Sequence, residues 1–135
     1  MLEVVCAVLI RNHRVLICQR ALGKHLAGSW EFPGGKVEEE ETFTGALKRE
    51  IAEELRCSIE IDENLSSVQH HYPGLSINLR AFSCHLSSDS PEPHALEHAS
   101  LRWMRCEEIE GLNLAGADRS LWRMIAPKIE SICSP

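Results

Sequence analysis

Gly35-Lys36-Val37-Glu38-Glu39-Glu40-Glu41-Thr42-Phe43-Thr44-Gly45-Ala46-Leu47-Lys48-Arg49-Glu50-Ile51-Ala52-Glu53-Glu54-Leu55-Arg56-Cys57 decides the fold. From Thr42 to Leu55 the spacing predicts a helix, because Phe43, Leu47, Ile51 and Leu55 recur every four residues and make one apolar stripe. Thr42 stands where a cap is expected. On a helical wheel Glu50, Glu53 and Glu54 fall within an arc of roughly 100° at the edge of that stripe. Glu50 and Glu54 are one turn apart, a like-charge pair that destabilises a helix, and more so when desolvated. A purely structural helix gains nothing from three carboxylates converging beside its buried face. A solvated acidic face is the plainer reading. A hard divalent cation reverses the sign of the repulsion, and Mg²⁺ prefers such oxygen ligands. Arg49 can hold one carboxylate by a charge-assisted hydrogen bond.

Outward from this helix the chain reads mostly as strands. Glu3–Ile10 is rich in Val, Leu and Ile and predicts a buried strand, turning at Asn12-His13 into a returning strand over Val15–Cys18. Ala21–Ser29 has two glycines and no period and reads as a loop. Trp30-Glu31-Phe32 alternates, and Pro33-Gly34-Gly35 is expected to break the chain. Cys57–Ile61, Ser67–Tyr72 and Ser76–His85 predict further strands, Ser87–Pro93 an exposed loop, and Leu101–Met104 one more strand. Arg119–Ile132 predicts a C-terminal helix through Leu121, Ile125, Ile129 and Ile132, with Pro127 unfavourable inside it. The order predicts an α/β (α+β) fold, a mixed sheet sandwiched by two main helices.

At 135 residues the chain is expected to form a single domain, residues 1–135. Hydrophobic residues at 44% and charged residues at 25% exclude disorder and coiled coil. Twenty acids against 14 bases leave a net charge of −6, which disfavours binding to a nucleic-acid polymer. An anionic small molecule then requires local cations. No apolar run reaches the ~18 residues of a membrane span. Met1-Leu2-Glu3-Val4-Val5 lacks the marks of a signal peptide, so the expected compartment is the cytoplasm, without membrane association. Cys6, Cys18, Cys57, Cys84, Cys106 and Cys133 form no C-x-x-C pair and are read as buried small hydrophobes in a reducing compartment.

The run Gly35-x5-Glu41-x7-Arg49-Glu50-Ile51-x-Glu53-Glu54 resembles the signature of the Nudix hydrolases. Arg56 and Cys57 depart from it, since the family has glycine and an aliphatic residue there. Arginine in place of that glycine is expected to strain or shift the helix end. The stretch from Arg20 through Trp30-Glu31-Phe32-Pro33-Gly34-Gly35-Lys36-Val37-Glu38 is similar to the MutT branch and the related CTP pyrophosphohydrolases. Glu97-His98, Leu101, Trp103 and Leu114-Ala115-Gly116-Ala117-Asp118 continue the likeness. The resemblance implies an α/β/α sandwich. It further implies a Mg²⁺-dependent enzyme, with Mn²⁺ as substitute, that splits a nucleoside triphosphate into a monophosphate and pyrophosphate. CTP, dCTP or an oxidised nucleotide such as 8-oxo-dGTP is the implied substrate, with a role in cleansing the nucleotide pool and so in DNA repair. By this analogy Glu50, Glu53, Glu54, Glu97 and the Gly34 carbonyl ligate metal. Glu53 and Glu97 are the alternative proton acceptors, Arg49 orients a glutamate, and Glu41 supports from behind. The expected assembly is a monomer or weak homodimer.

Arg20, His25, Glu31 and Phe32 match nucleotide-contacting positions of that branch. Asp118 precedes the last helix, where the resembling proteins read the base edge. An ionised carboxylate accepts hydrogen bonds from a base amine or ring N–H; the alternative is that Asp118 caps a helix starting at Arg119. Leu75 stands where close MutT relatives have a base-contacting arginine, which speaks against strict 8-oxoguanine selectivity. His94-Ala95-Leu96-Glu97-His98 matches H-x-x-E-H, a zinc-protease motif that requires a helix; Pro91 and Pro93 before it argue against one. His70 and His71 are adjacent in a strand and are read as surface histidines. Tyr72-Pro73 lies near positions used by other Nudix subfamilies, though a loop before a strand explains it equally. Hydrolysis of ADP-ribose or dinucleoside polyphosphates is the alternative activity, and a non-catalytic nucleotide-binding module the alternative class.

Overall fold

The computed structural model describes residues 1–134. Strand β1 (Leu2–Arg11) runs through the middle of the molecule and is buried on both faces, so it reads as continuous apolar sequence rather than an alternation. Asn12 and His13 both adopt left-handed backbone (φ 51° and 65°), the geometry of a tight two-residue hairpin, and β2 (Arg14–Arg20) returns antiparallel. After Ile10 the two strands pair no further toward the β1 start. β4 (Gly34–Lys36) lies beside Val4–Cys6 instead, while β2 pairs with β3 (Trp30–Glu31) and β7 (His98–Met104). On its other edge β1 runs parallel to β6 (Leu75–Leu86), which carries β5 (Ile59–Tyr72) antiparallel at the outside. The seven-stranded sheet is therefore mixed.

Alternation along β1 divides the core. Val5, Ala7 and Leu9 face helix α1 (Phe43–Leu55) with Leu47, Ile51 and Leu55. Cys6 and Val8 face α3 (Gly116–Cys133) with Leu121, Trp122, Ile125 and Ile129. The expected α/β/α sandwich with two main helices is observed, with a short extra helix, α2 (Cys106–Glu110), between β7 and α3. Among the described residues no helix is long and apolar enough to cross a membrane. All six cysteines are buried and free.

Several local expectations change. Pro33-Gly34-Gly35 does not break the chain: Gly34 and Gly35 pair with Cys6 and Val5. A Cβ on Gly34 would collide with the Val5 and Cys6 backbone, so only glycine lets β4 approach this closely. The two short strands expected over 57–61 and 67–72 are one strand, β5, carried through the polar run Asp62-Glu63-Asn64 by two register slips against β6. Phe43 leaves the apolar stripe. It is 38% exposed, and the Arg80 guanidinium stacks over its ring at 4.7 Å. α3 starts at Gly116, not Arg119, so Asp118 sits inside its first turn and is not the cap. Pro127 is tolerated within α3 because it lies on the exposed side, where the freed carbonyl one turn earlier meets water. Residues 94–97 form no helix, which removes the zinc-protease geometry. His71 is exposed as expected, but His70 is half-buried against Gly116 and Tyr72.

Arg56 ends α1 without shifting it. Its backbone is left-handed (φ 53°, ψ 36°), and its N–H bonds to the Ala52 carbonyl. A side chain in that region costs what glycine does not. Arg56→Gly is accordingly expected to stabilise the protein by about 1 kcal/mol, read as a higher urea midpoint at unchanged m-value. An unchanged or lower midpoint would show that arginine bears no strain there.

Candidate functional site

A cleft of about 400 Å³ opens where β1 separates from β2. Its floor and one wall come from β1 and β6 (Val4, Cys6, Ile77, Leu79), with the start of α3 closing one end and α1 the other. The α1 end carries Gly34, Gly35, Glu50 and Glu54, with Glu97 at the rim. The α3 end carries Phe32, Tyr72 and Asp118. Arg20, His25 and Glu31 lie along the side between them. The structure thus gathers nine of the residues expected in a site from segments spread over the chain. Arg49, Glu41 and Glu53 do not line the cleft; they form a shell behind it.

Arg49 organises that shell. Its Nε and Nη2 donate to both Glu41 oxygens (2.7 and 2.8 Å), and Nη2 also donates to the Lys36 carbonyl (3.0 Å). Nη1 reaches Glu50 Oε1 at 3.0 Å and Glu53 Oε2 at 3.3 Å. The hydrogen bond from Arg49 holds the Glu41 carboxyl down at about 2, helped by the Glu38 amide. Glu41 and Arg49 thereby fasten the loop before α1 to the face that bears the acids.

Glu50 lies against Gly35. A Cβ at residue 35 would overlap the Glu50 carboxylate, so the glycine is the cradle into which that carboxylate fits. Glu54 is half-buried beside it. Burial, then the charges of Glu50, Glu31 and Glu97, push its carboxyl up to about 8, and protonated Glu54 donates to Glu50. Glu53 is turned outward, its side chain 61% exposed. Among the described residues, no three acidic, histidine or cysteine side chains are gathered closely enough to chelate a metal. Carboxylates that repel one another spread in this way, Glu54 by taking a proton and Glu53 by pairing with Arg49.

The α3 end is stitched to the sheet. Trp30 N–H donates to Asn113 O and Ala115 N–H to Trp30 O, both 2.9 Å. Tyr72 Oη accepts from Ala117 N–H at 2.8 Å, occupying a free donor of the first turn. The buried Asp118 accepts from Phe32 N–H at 2.9 Å. Burial, with the Glu31 charge, pushes Asp118 up to about 8 against the pull of its amide hydrogen bonds. Tyr72 also packs edge-on against His25, ring centres 5.6 Å apart. Its part in the cleft was legible only as an ambiguous loop position, because it depends on long-range pairing of β5 with β6. Lys24 and Lys36 line the cleft with Arg20, and supply local positive charge within an acidic protein.

A family model for the NUDIX domain matches residues 5–124. The chain belongs to the Nudix family. A CTP pyrophosphohydrolase of Escherichia coli K12 is 39% identical over 118 residues, covering 87% of this chain and 86% of that protein. An 8-oxo-dGTP diphosphatase of Proteus vulgaris is 42% identical over 72 residues, 53% of this chain and 64% of that protein. The solution structure of the E. coli ORF135 protein superposes with a TM-score of 0.82 at 35% identity, covering all of this chain and 95% of the other. As a Nudix hydrolase the chain is an enzyme acting on phosphoric anhydrides, a class that works with a divalent metal ion. The site fits such an ion. Glu50, seated against Gly35, and Glu54 beside it are oxygen donors, and the raised pKa of Glu54 marks an excess of negative charge that a cation would relieve.

Proposed function

We propose that this chain is a Mg²⁺-dependent nucleoside triphosphate pyrophosphohydrolase acting on CTP- or dCTP-type nucleotides or on oxidised ones such as 8-oxo-dGTP. Water adds across the α–β anhydride and releases monophosphate and pyrophosphate. The observation that carries this reading is the pairing of Glu50 with Glu54 at one end of the cleft and of Phe32 with Asp118 at the other. One end suits a cation–polyphosphate, the other a flat base.

Glu50, Glu54, Glu53, Glu97 and the Gly34 carbonyl would hold the ion, with Mn²⁺ able to replace Mg²⁺. A bound divalent ion supplies polarisation of the phosphoryl oxygens and a more acidic water. The protein's own groups do the rest. Arg49 fixes the angle of Glu50 and ties it to Glu41. Glu97 lines the cleft, whereas Glu53 is drawn outward by Arg49, which favours Glu97 as the group that takes the proton from water. Lys24 and Lys36 attract the polyanion, and Arg20 and Asp118 bracket the base. Leu75, 41% exposed at the rim, offers no hydrogen bond, which favours cytosine over strict reading of 8-oxoguanine. We take the substrate to be a free cytoplasmic nucleotide and the enzyme to act as a single domain.

A panel of normal and oxidised nucleoside triphosphates with Mg²⁺, assayed for pyrophosphate, tests the proposal. Release from CTP, dCTP or 8-oxo-dGTP is the expected result. Turnover of ADP-ribose or dinucleoside polyphosphates alone, or binding without turnover, would contradict it.

A further inference from the structure

Glu31 occupies an unfavourable place. It lies between two other acids, Glu54 on the polyphosphate side and Asp118 on the base side, and its charge raises the pKa of both. Donors hold this carboxylate in place. There are two. Arg20 Nη1 donates to Oε1 at 3.0 Å, and His98 Nε2 meets Oε2 at 3.0 Å. Arg20 is itself anchored by Nε to the His25 carbonyl at 2.6 Å. This leaves its remaining N–H groups, all donors, for a ligand in the cleft.

The fold delivers His98 to this position by a register slip. β2 and β7 pair regularly from Val15 to Gln19, then shift between Gln19 and Arg20, so that Arg20 stands opposite His98. Slips of this kind re-aim side chains beside active sites. The His98 side chain is only 7% exposed, and its Nδ1 is buried without a hydrogen-bond partner. An apolar side chain would avoid that unsatisfied nitrogen. The cost makes sense if the other nitrogen has work to do. An ionised carboxylate only accepts, so the contact requires the proton on Nε2.

We propose that His98 is a positioning residue for nucleotide binding: as the Nε2–H tautomer it fixes Glu31, and through Glu31 the Arg20 guanidinium. The inference rests on reading the cleft as the nucleotide site.

The tautomer is measured by imidazole ¹⁵N NMR on the unmodified, metal-free protein; a protonated Nε2 and bare Nδ1 are expected for His98. His98→Phe keeps a ring and removes the donor. It is expected to raise KM for CTP about fivefold or more with kcat changed less, and to weaken CMP binding in chelator by a similar factor. His98→Gln, which retains an N–H, is expected to restore both. An Nδ1–H tautomer, with Nε2 bare, overturns the proposal. So does a His98→Phe protein with unchanged KM and CMP affinity, or a loss that His98→Gln does not repair. Failure of the wild-type protein to release pyrophosphate from any triphosphate would instead remove the proposed function, and the tautomer result would stand apart from it.

Discussion

Glu54→Gln yields a folded protein whose turnover of nucleoside triphosphate falls at least about a hundredfold. The substitution keeps the shape of a half-buried side chain and removes its charge. In the metal-free protein that charge is a liability, since burial and three neighbouring acids already force a proton onto it. The variant should therefore be no less stable than the parent, and more stable at alkaline pH in the presence of chelator. Loss of activity together with a gain in stability is the mark of a group retained for chemistry. A folded Glu54→Gln enzyme with near-normal turnover would contradict the assignment.

Stability of the metal-free protein falls as pH rises from 5 to about 8. The sign follows from two carboxyls whose native pKa is raised: Glu54 from 4.5 to about 8, and Asp118 from 3.8 to about 8. Below the unfolded values both states are protonated and nothing is lost. Above them the unfolded chain releases protons that the native state keeps, so stability declines until the native groups ionise near pH 8. Shifts of this size are visible as a falling Tm. The two contributions separate. A divalent cation at pH 8 should raise Tm more than at pH 5 by relieving Glu54, and this rescue should shrink in Glu54→Gln. The Asp118 part should persist in that variant, because Asp118 lies at the other end of the cleft. A Tm that rises with pH in chelator would sink this account of the electrostatics.

The α1 segment was legible because its chemistry is local. Thr42, the Leu47–Ile51–Leu55 stripe and the Arg49–Glu54 spacing all lie within one helix, and a regular period projects them correctly. The strands flanking it were legible as apolar runs. What escaped depends on partners distant in sequence. Pro33-Gly34-Gly35 reads as a breaker until β1 is placed close enough to require glycine. Residues 57–61 and 67–72 read as two separate strands until β6 carries β5 through Asp62-Glu63-Asn64 by two slips. α2 escaped because Arg105 is no usual cap, although Glu108 accepts its N–H at 3.0 Å. The same division holds in the site. Glu50, Glu54 and Glu97 follow from a motif, whereas Tyr72 and His98 acquire their contacts from α3 and β3. Asp118 lies beside the cleft, and its bond to Phe32 N–H, inside the first turn of α3, removes the alternative that it caps a helix at Arg119.

All of this turns on whether the acids at Gly35 exist to gather a cation. The most direct measurement is an anomalous difference map from a crystal soaked in Mn²⁺ at pH 7.5. The account predicts a peak at the α1 end of the cleft, beside the Glu50 and Glu54 carboxylates. A map with no peak there, or with manganese only on the exposed Glu38–Glu40 run, would contradict it.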